Sequence, residues 1–278
     1  ADIINGTNAG LSAVYLYGGL DNDSVDGGGG ADYLYGDNGD DTIQGNDGVD
    51  SLSGGTGIDT LDGGAGADTL DGGTEADDIT GGAGNDTFIG NAGIDTFRVD
   101  ANNDTINDVG QGGADNVVIS GGATLTNGIV VTDWVATAAT TNAGTATFTS
   151  QAAGIDISVA TAGGANGFTV TASTGAEALL GSANNDILSG LGGTDTLTGN
   201  NGTDTITGGA GADSITGGGG ADDITYSAVG DGGAFVDTSR TQGDDLIGVV
   251  QGSDDLRLIG DFLTGSMAGT TGNATNAV

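Results

Sequence analysis

Aspartate recurs at a fixed interval of nine residues in two stretches of the chain, from Gly18 to Arg98 and from Gly181 to Thr225. Carboxylate oxygens are hard ligands that suit Ca²⁺, and the chain has no His or Cys with which to hold zinc or copper. We therefore expect a row of calcium sites. The expected ligands are Asp23, Asp32, Asp41, Asp50, Asp59, Asp68, Asp77, Asp86, Asp95, Asp186, Asp195, Asp204, Asp213 and Asp222.

Two other positions of the nine-residue unit are as regular as the aspartate. The first residue is Gly in every unit, and glycines at the first, second and fourth positions allow a loop with positive φ whose carbonyl oxygens turn inward. The eighth residue is always large and apolar, which predicts a short strand with one side chain in the core. These core residues are Val25, Leu34, Ile43, Leu52, Leu61, Leu70, Ile79, Phe88, Phe97, Leu188, Leu197, Ile206, Ile215 and Ile224.

The unit G-G-x-G-x-D-x-U-x resembles the calcium-binding repeat of the RTX (repeats-in-toxin) proteins. This resemblance implies a right-handed parallel β-roll in which two units make one turn, so that Asp32 stacks on Asp50. It also implies that each ion lies between stacked loops and takes carboxylate and carbonyl oxygens from both. One ion per stacked pair gives about ten Ca²⁺ ions. Because a glycine-rich chain loses much conformational entropy and buries few apolar side chains, we expect these ions to be required for folding.

The fold class predicted is all-β, with two right-handed parallel β-rolls of nine-residue calcium-binding repeats joined by a small antiparallel β element. Residues 1–121 form the first roll with a leader turn and a closing cap, residues 122–171 the inserted element, and residues 172–278 the second roll with its leader, cap and tail. Alternating Thr/Val-rich stretches such as Thr145–Thr149 favour the antiparallel element, with Trp134 as its core. Ala9–Tyr17 and Ala172–Leu180 are predicted to be end turns, and the related segments 104–115 and 244–255 closing caps.

Charge excludes several classes of partner. The chain carries 39 acidic and 3 basic residues, a net charge of −36, so nucleic acid and anionic membrane surfaces would repel it. No apolar run approaches the roughly 18 residues of a membrane span. Because His, Cys and Lys are all absent, the common pairs of nucleophile and base cannot form, and we expect no enzyme.

The resemblance also carries an expectation about function. RTX proteins are exported by the type I route, and the Ala/Gly/Thr/Asn-rich background without Cys or Lys resembles Gram-negative surface-layer proteins. We expect a secreted, calcium-binding structural protein of the bacterial cell surface that self-associates into a lattice or matrix on extracellular calcium. The alternatives are an auxiliary module of a larger secreted enzyme or toxin, or an adhesin. An ice-binding role is disfavoured, because hydroxyl residues such as Ser189 and Thr198 alternate between the two sheets, which predicts no long ladder on either face.

Overall fold

The chain is built from strands alone in the residues that the computed structural model describes, which are 1–6, 12–100, 102–132, 134–136, 140–151, 154–157, 160, 166–225 and 245–247. In chain order the strands are β1 (Ile3–Asn5), β2 (Tyr15–Leu20), β3 (Ser24–Gly29), β4 (Tyr33–Asn38), β5 (Thr42–Asp47), β6 (Ser51–Thr56), β7 (Thr60–Ala65), β8 (Thr69–Thr74), β9 (Asp78–Ala83), β10 (Thr87–Ala92), β11 (Thr96–Val99), β12 (Asn103–Val109), β13 (Asn116–Ile119), β14 (Thr124–Val130), β15 (Trp134–Val135), β16 (Thr141–Asn142), β17 (Thr145–Ser150), β18 (Ile155–Asp156), β19 (Thr169–Thr171), β20 (Ala178–Leu180), β21 (Ile187–Ser189), β22 (Gly192–Gly193), β23 (Thr196–Asn201), β24 (Thr205–Thr207), β25 (Ala210–Gly211), β26 (Ser214–Gly219), β27 (Asp223–Thr225) and β28 (Asp245–Ile247). None of these ranges holds a helix long and apolar enough to cross a membrane.

From β1 to β14 successive strands belong to opposite sheets, and this alternation produces the roll. A 13-stranded sheet, the long sheet, runs β2-β4-β6-β8-β10-β12-β14-β17-β19-β21-β24-β27-β28. An 8-stranded sheet, β1-β3-β5-β7-β9-β11-β13-β16, faces it in the first half, and a 5-stranded sheet, β15-β18-β20-β23-β26, in the second; β22 and β25 form a small separate sheet. The predicted all-β parallel roll is confirmed.

Two nine-residue units make one turn, as the resemblance implied. Leu34 pairs with Leu52 and Leu52 with Leu70 in the long sheet, while Ile43 pairs with Leu61 in the 8-stranded sheet. The predicted core is confirmed as well, because all fourteen eighth-position side chains are buried to 2% exposure or less. The roll therefore consists of a narrow apolar stack with a glycine-rich turn on each side.

The segment between the arrays does not form the antiparallel element that its alternating pattern suggested. Its strands β14, β17 and β19 pair in parallel within the long sheet. Alternation identifies a half-buried strand but carries no information about its direction. Here the turns only lengthen, since Thr124 pairs with Thr145 and Thr147 with Thr169, and the chain returns to the same sheet each time.

Two segments predicted to close the rolls lie inside them instead. Strand β12 of the 104–115 segment lies between β10 and β14, and β20 of Ala172–Leu180 lies between β18 and β23. The long sheet therefore continues through both expected boundaries, at residues 122 and 172. The last three residues of the first leader, 15–17, begin β2, an edge strand of the long sheet. The second cap, 244–255, lies outside the described residues except for β28.

Trp134 is confirmed as a core residue of the middle segment. It is 1% exposed, and its ring lies 5.0 Å from that of Phe148. Its indole Nε1 donates a hydrogen bond to the carbonyl oxygen of Asp115 at 3.1 Å. The aromatic core therefore fills the roll where the nine-residue period is lost.

Candidate metal centre

In each array the repeated aspartates form two columns, one on each side of the roll. The backbone N–H of Asp41 donates to Oδ1 of Asp59 at 2.7 Å, and that of Asp59 donates to Oδ1 of Asp77 at 2.8 Å. Each such bond joins residues 18 apart in the chain, which is one turn of the roll. The second array repeats the arrangement, with Asp204 donating to Asp222 at 2.9 Å. The structure thus brings the predicted ligands together as stacked, buried carboxylates.

The second oxygen of most of these carboxylates has no hydrogen-bond partner although it is buried. The unpartnered atoms are Oδ2 of Asp23, Asp32, Asp41, Asp50, Asp59, Asp68, Asp77, Asp86, Asp95, Asp104, Asp195 and Asp204, and Oε2 of Glu177. A buried, unpaired carboxylate oxygen is costly unless a cation or a proton neutralises it. The columns therefore require a positive charge inside the turns.

The invariant first-position glycine provides space for that charge. A Cβ atom placed on Gly63 would lie 2.7 Å from Oδ2 of Asp68 and 2.6 Å from the carbonyl oxygen of Gly81, one turn further along. Carboxylate and carbonyl oxygens therefore surround a point that any side chain would fill, and this mixture of hard oxygens is the donor set that Ca²⁺ prefers. The described residues contain no cluster of three acidic side chains able to hold a metal, so backbone carbonyls must supply the remaining ligands.

Gly63→Ala should weaken calcium binding, because the new methyl group would occupy the space between Asp68 and the Gly81 carbonyl. We expect the calcium concentration at half-folding to rise by about tenfold, on the scale of affinities tuned by ligand geometry. Gly121→Ala is the matched control, since its nearest neighbour would be the Ala143 carbonyl oxygen at 3.9 Å. Circular dichroism during calcium titration gives both midpoints, and equal midpoints would contradict the site.

Burial raises the pKa of the column carboxyls. The pKa of Asp59 and Asp68 is raised to about 6, and that of Asp77 and Asp204 to about 7, mainly by burial. Backbone N–H groups that donate to these carboxylates counteract the rise in part, whereas neighbouring carboxylates in the same column add to it. Near neutral pH, protons therefore compete with cations for the same oxygens.

These shifts give the calcium-free roll a definite dependence on pH. Carboxyls with a folded pKa of about 6 to 7 and an ordinary value of 3.8 stabilise the roll fully below pH 3.8, and that contribution is lost as the pH rises through 7. Calcium-stripped protein should therefore gain β-structure as the pH falls from 7.5 to 5. Because protons compete with the ion, the calcium concentration needed to load the sites should be higher at pH 5. Circular dichroism at both pH values measures this, and an unchanged spectrum of the stripped protein would count against it.

Departures from glycine show where the loop backbone is constrained. At the second position Asp37, Asn46, Asn91 and Asn200 all adopt positive φ, between 64° and 74°, as glycine does elsewhere. Such a conformation is least costly for Asn and Asp among residues with a side chain. These loops keep the shape of the consensus loop.

Ser182 is an exception at the same second position. Its backbone N–H and its hydroxyl both lie against Oδ2 of Asp186, at 2.6 Å and 3.0 Å. The hydroxyl also accepts the backbone N–H of Asn184. Asp186 was predicted as a ligand like the others, but in this loop protein donors satisfy the oxygen that stays unpartnered in neighbouring turns.

Three residues of the columns were missed from the sequence. Asp104 receives the backbone N–H of Asp86, and Glu177 donates its own to Asp195, both at 2.9 Å. Their 18-residue spacing was the available signal, but Asp104 was assigned to a closing cap, and Glu177 lies in a segment that was predicted to be an end turn. Asp115 accepts N–H groups on both oxygens, from Asp95 at 2.9 Å and Gly110 at 2.7 Å, and so ends its column without an unpartnered oxygen.

A parallel roll with unpartnered carboxylate oxygens in its glycine-rich turns defines a class, the calcium-binding β-roll proteins. The family model of the RTX calcium-binding nonapeptide repeat (four copies) matches residues 15–43, 44–79, 71–106, 107–124, 171–206 and 198–238, more than half of the chain. The chain belongs to this family, whose repeats bind calcium. No curated protein and no solved structure matches the chain.

Proposed function

We propose that this chain is a structural protein of the bacterial cell surface, exported by the type I route, which folds and assembles into a lattice or matrix on extracellular calcium. The observation that carries the proposal is the extent of the columns, because buried oxygens that need a cation run from Asp23 to Asp104 and again from Glu177 to Asp204. Most of the described chain is thus devoted to a calcium-dependent scaffold.

Export explains why such a scaffold depends on calcium. A chain that lacks the cation holds unneutralised carboxylates in the turns of both arrays and stays unfolded, which suits passage through a channel. Extracellular calcium then supplies the missing charge, and binding free energy becomes folding free energy. The roll would form only after it has left the cell.

A non-enzymatic role follows from the same distribution of residues. The chain has no His, Cys or Lys, and the buried carboxylates of the described residues, apart from Asp108, lie in the calcium columns. An auxiliary module of a larger secreted enzyme or toxin is the second candidate, since RTX repeats are suited to both roles. An adhesin is the third.

Assembly distinguishes these candidates. Stripped protein would be titrated with calcium while light scattering and electron microscopy follow particle size. A lattice protein forms large ordered arrays once calcium has folded it. A parallel titration with Mg²⁺ at equal concentration is the control. A roll that folds with calcium and remains monomeric at high concentration would contradict the lattice and favour the auxiliary module.

A further inference from the structure

The outer surface of the long sheet carries two columns of side chains, in register on either side of β14, where the register shifts. Residues on either side of each buried core residue point outward, as Thr69 and Asp71 do beside Leu70. We call this surface the hydroxyl face. Its first column is Tyr15, Tyr33, Ser51, Thr69, Thr87 and Thr105, then, beyond β14, Thr147, Thr169, Ile187, Thr205 and Asp223. Its second is Tyr17, Tyr35, Ser53, Asp71 and Ile89, then Ile129 of β14, Thr149, Thr171, Ser189, Thr207 and Thr225.

The segment without nine-residue repeats completes the ladder. Thr149 and Thr171 pair with each other, and the column continues through Ser189 to Thr207 and Thr225. The expectation that no face carries a long hydroxyl ladder was therefore wrong. It considered only the repeats, whereas β17 and β19 extend the same sheet between the two arrays.

The hydroxyl face is nearly free of charge on a protein of net charge −36. Among its residues only Asp71 and Asp223 are ionisable acids. The outward positions of the 8-stranded sheet include Asp26, Asp62 and Asp78, of which Asp78 is paired with Arg98. Two copies of such an acidic molecule repel each other over most orientations, and they approach most easily through a long surface that has few carboxylates.

We infer that the hydroxyl face docks against the same face of a second copy of this chain, which rests on the proposed lattice function and specifies its contact. Threonine has a stiff χ1, so its methyl and hydroxyl groups hold fixed positions. Identical ladders with a repeat of about 4.8 Å can stay in register along their length, as paired sheets do. Tyr15 is 61% exposed and Ile187 50%, and both would lose apolar surface to water on docking.

The size of the face sets the strength of the contact. Thirteen strands spaced by about 4.8 Å make it roughly 60 Å long, and its two columns lie roughly 7 Å apart. The area is on the order of 500 Å² per copy, below the ~800 Å² of a stable pair. An isolated pair is therefore weak, and the contact persists when a lattice repeats it.

Charge placed on the face tests the inference. Thr207→Asp with Thr225→Asp adds repulsion between facing copies. We expect it to raise the protein concentration needed for calcium-induced assembly by at least about tenfold. Thr198→Asp with Thr216→Asp is the matched control, because these threonines pair in the same way in the 5-stranded sheet. Equal calcium-loaded circular dichroism spectra would show that all variants fold.

A charge-reversal experiment identifies the second copy as the occupant. Thr207→Lys with Thr225→Lys should also fail to assemble alone, whereas its mixture with the Asp variant should assemble. If the wild type assembles and only the control variant with Thr198→Asp and Thr216→Asp blocks assembly, the contact does not involve the hydroxyl face, and the proposed function stands. If wild type never assembles with calcium, the proposed function and the inference both fail. The protein could instead remain a monomer that inhibits ice growth or retains a neutral polysaccharide, and lose that activity in the Thr207 and Thr225 variants. This result would overturn the inference that a second copy binds the hydroxyl face.

Discussion

Removal of calcium should unfold the whole roll. The columns hold buried carboxylate oxygens with no partner in turn after turn, and each would remain an uncompensated charge without the ion. Chelation at pH 7.5 is expected to abolish the β signal in far-UV circular dichroism and to expand the chain in size-exclusion chromatography. The fluorescence of Trp134, which is 1% exposed in the fold, should shift to that of a solvated indole.

Two controls sharpen this result. Mg²⁺ should restore the fold poorly, because it requires a strict octahedron and releases its waters reluctantly. Monovalent salt at equal ionic strength should fail, which separates specific binding from screening of the net charge. A chelated chain with an unchanged β spectrum would show that the aspartates do not hold the fold together.

Asp59→Asn should strongly weaken calcium binding in the middle of the first array. The amide keeps an oxygen to accept the Asp41 N–H, but it removes the charge and places a donor where Oδ2 lacks a partner. We expect fewer calcium ions bound at saturation and a midpoint at least about tenfold higher, since ligand charge sets affinity in such sites. Ion content and isothermal titration measure both quantities.

Asp62→Asn is the matched control for this substitution. Asp62 belongs to the same nine-residue unit but lies beyond the core residue Leu61, on the outer surface of β7. The Asp62→Asn substitution removes the same charge as Asp59→Asn but leaves the column of stacked carboxylates unchanged. If both variants shift the calcium midpoint equally, the effect comes from net charge, and Asp59 is not a ligand.

Much of this fold follows from the nine-residue period. The period fixes which residues are buried. The family resemblance, which implies that units two apart are stacked, places Asp41 over Asp59. What the period could not supply is the path of the chain after Phe97. There the turns lengthen to about 21 residues, as from Thr124 to Thr145, and only the pairing of backbone groups shows that the strands remain parallel.

The site was predictable in its ligand types and less so in its limits. The aspartates could be read from spacing, but Glu177 fills the same role with a longer side chain, and its burial to 5% exposure emerges only in the folded chain. The reverse holds for Asp186. It fits the pattern, yet the hydroxyl of Ser182 supplies a donor that no spacing rule considers.

The N–H to Oδ1 link between successive aspartates has a consequence for how sharply the protein responds. Each carboxylate is oriented by the turn before it, as Asp59 is by Asp41, so an ordered turn prepares the next one to bind. Such a chain of nearest-neighbour couplings behaves like a one-dimensional array, in which the steepness of the transition grows with the number of linked units. The number of turns would then set both the calcium concentration at which the molecule forms and the narrowness of that threshold.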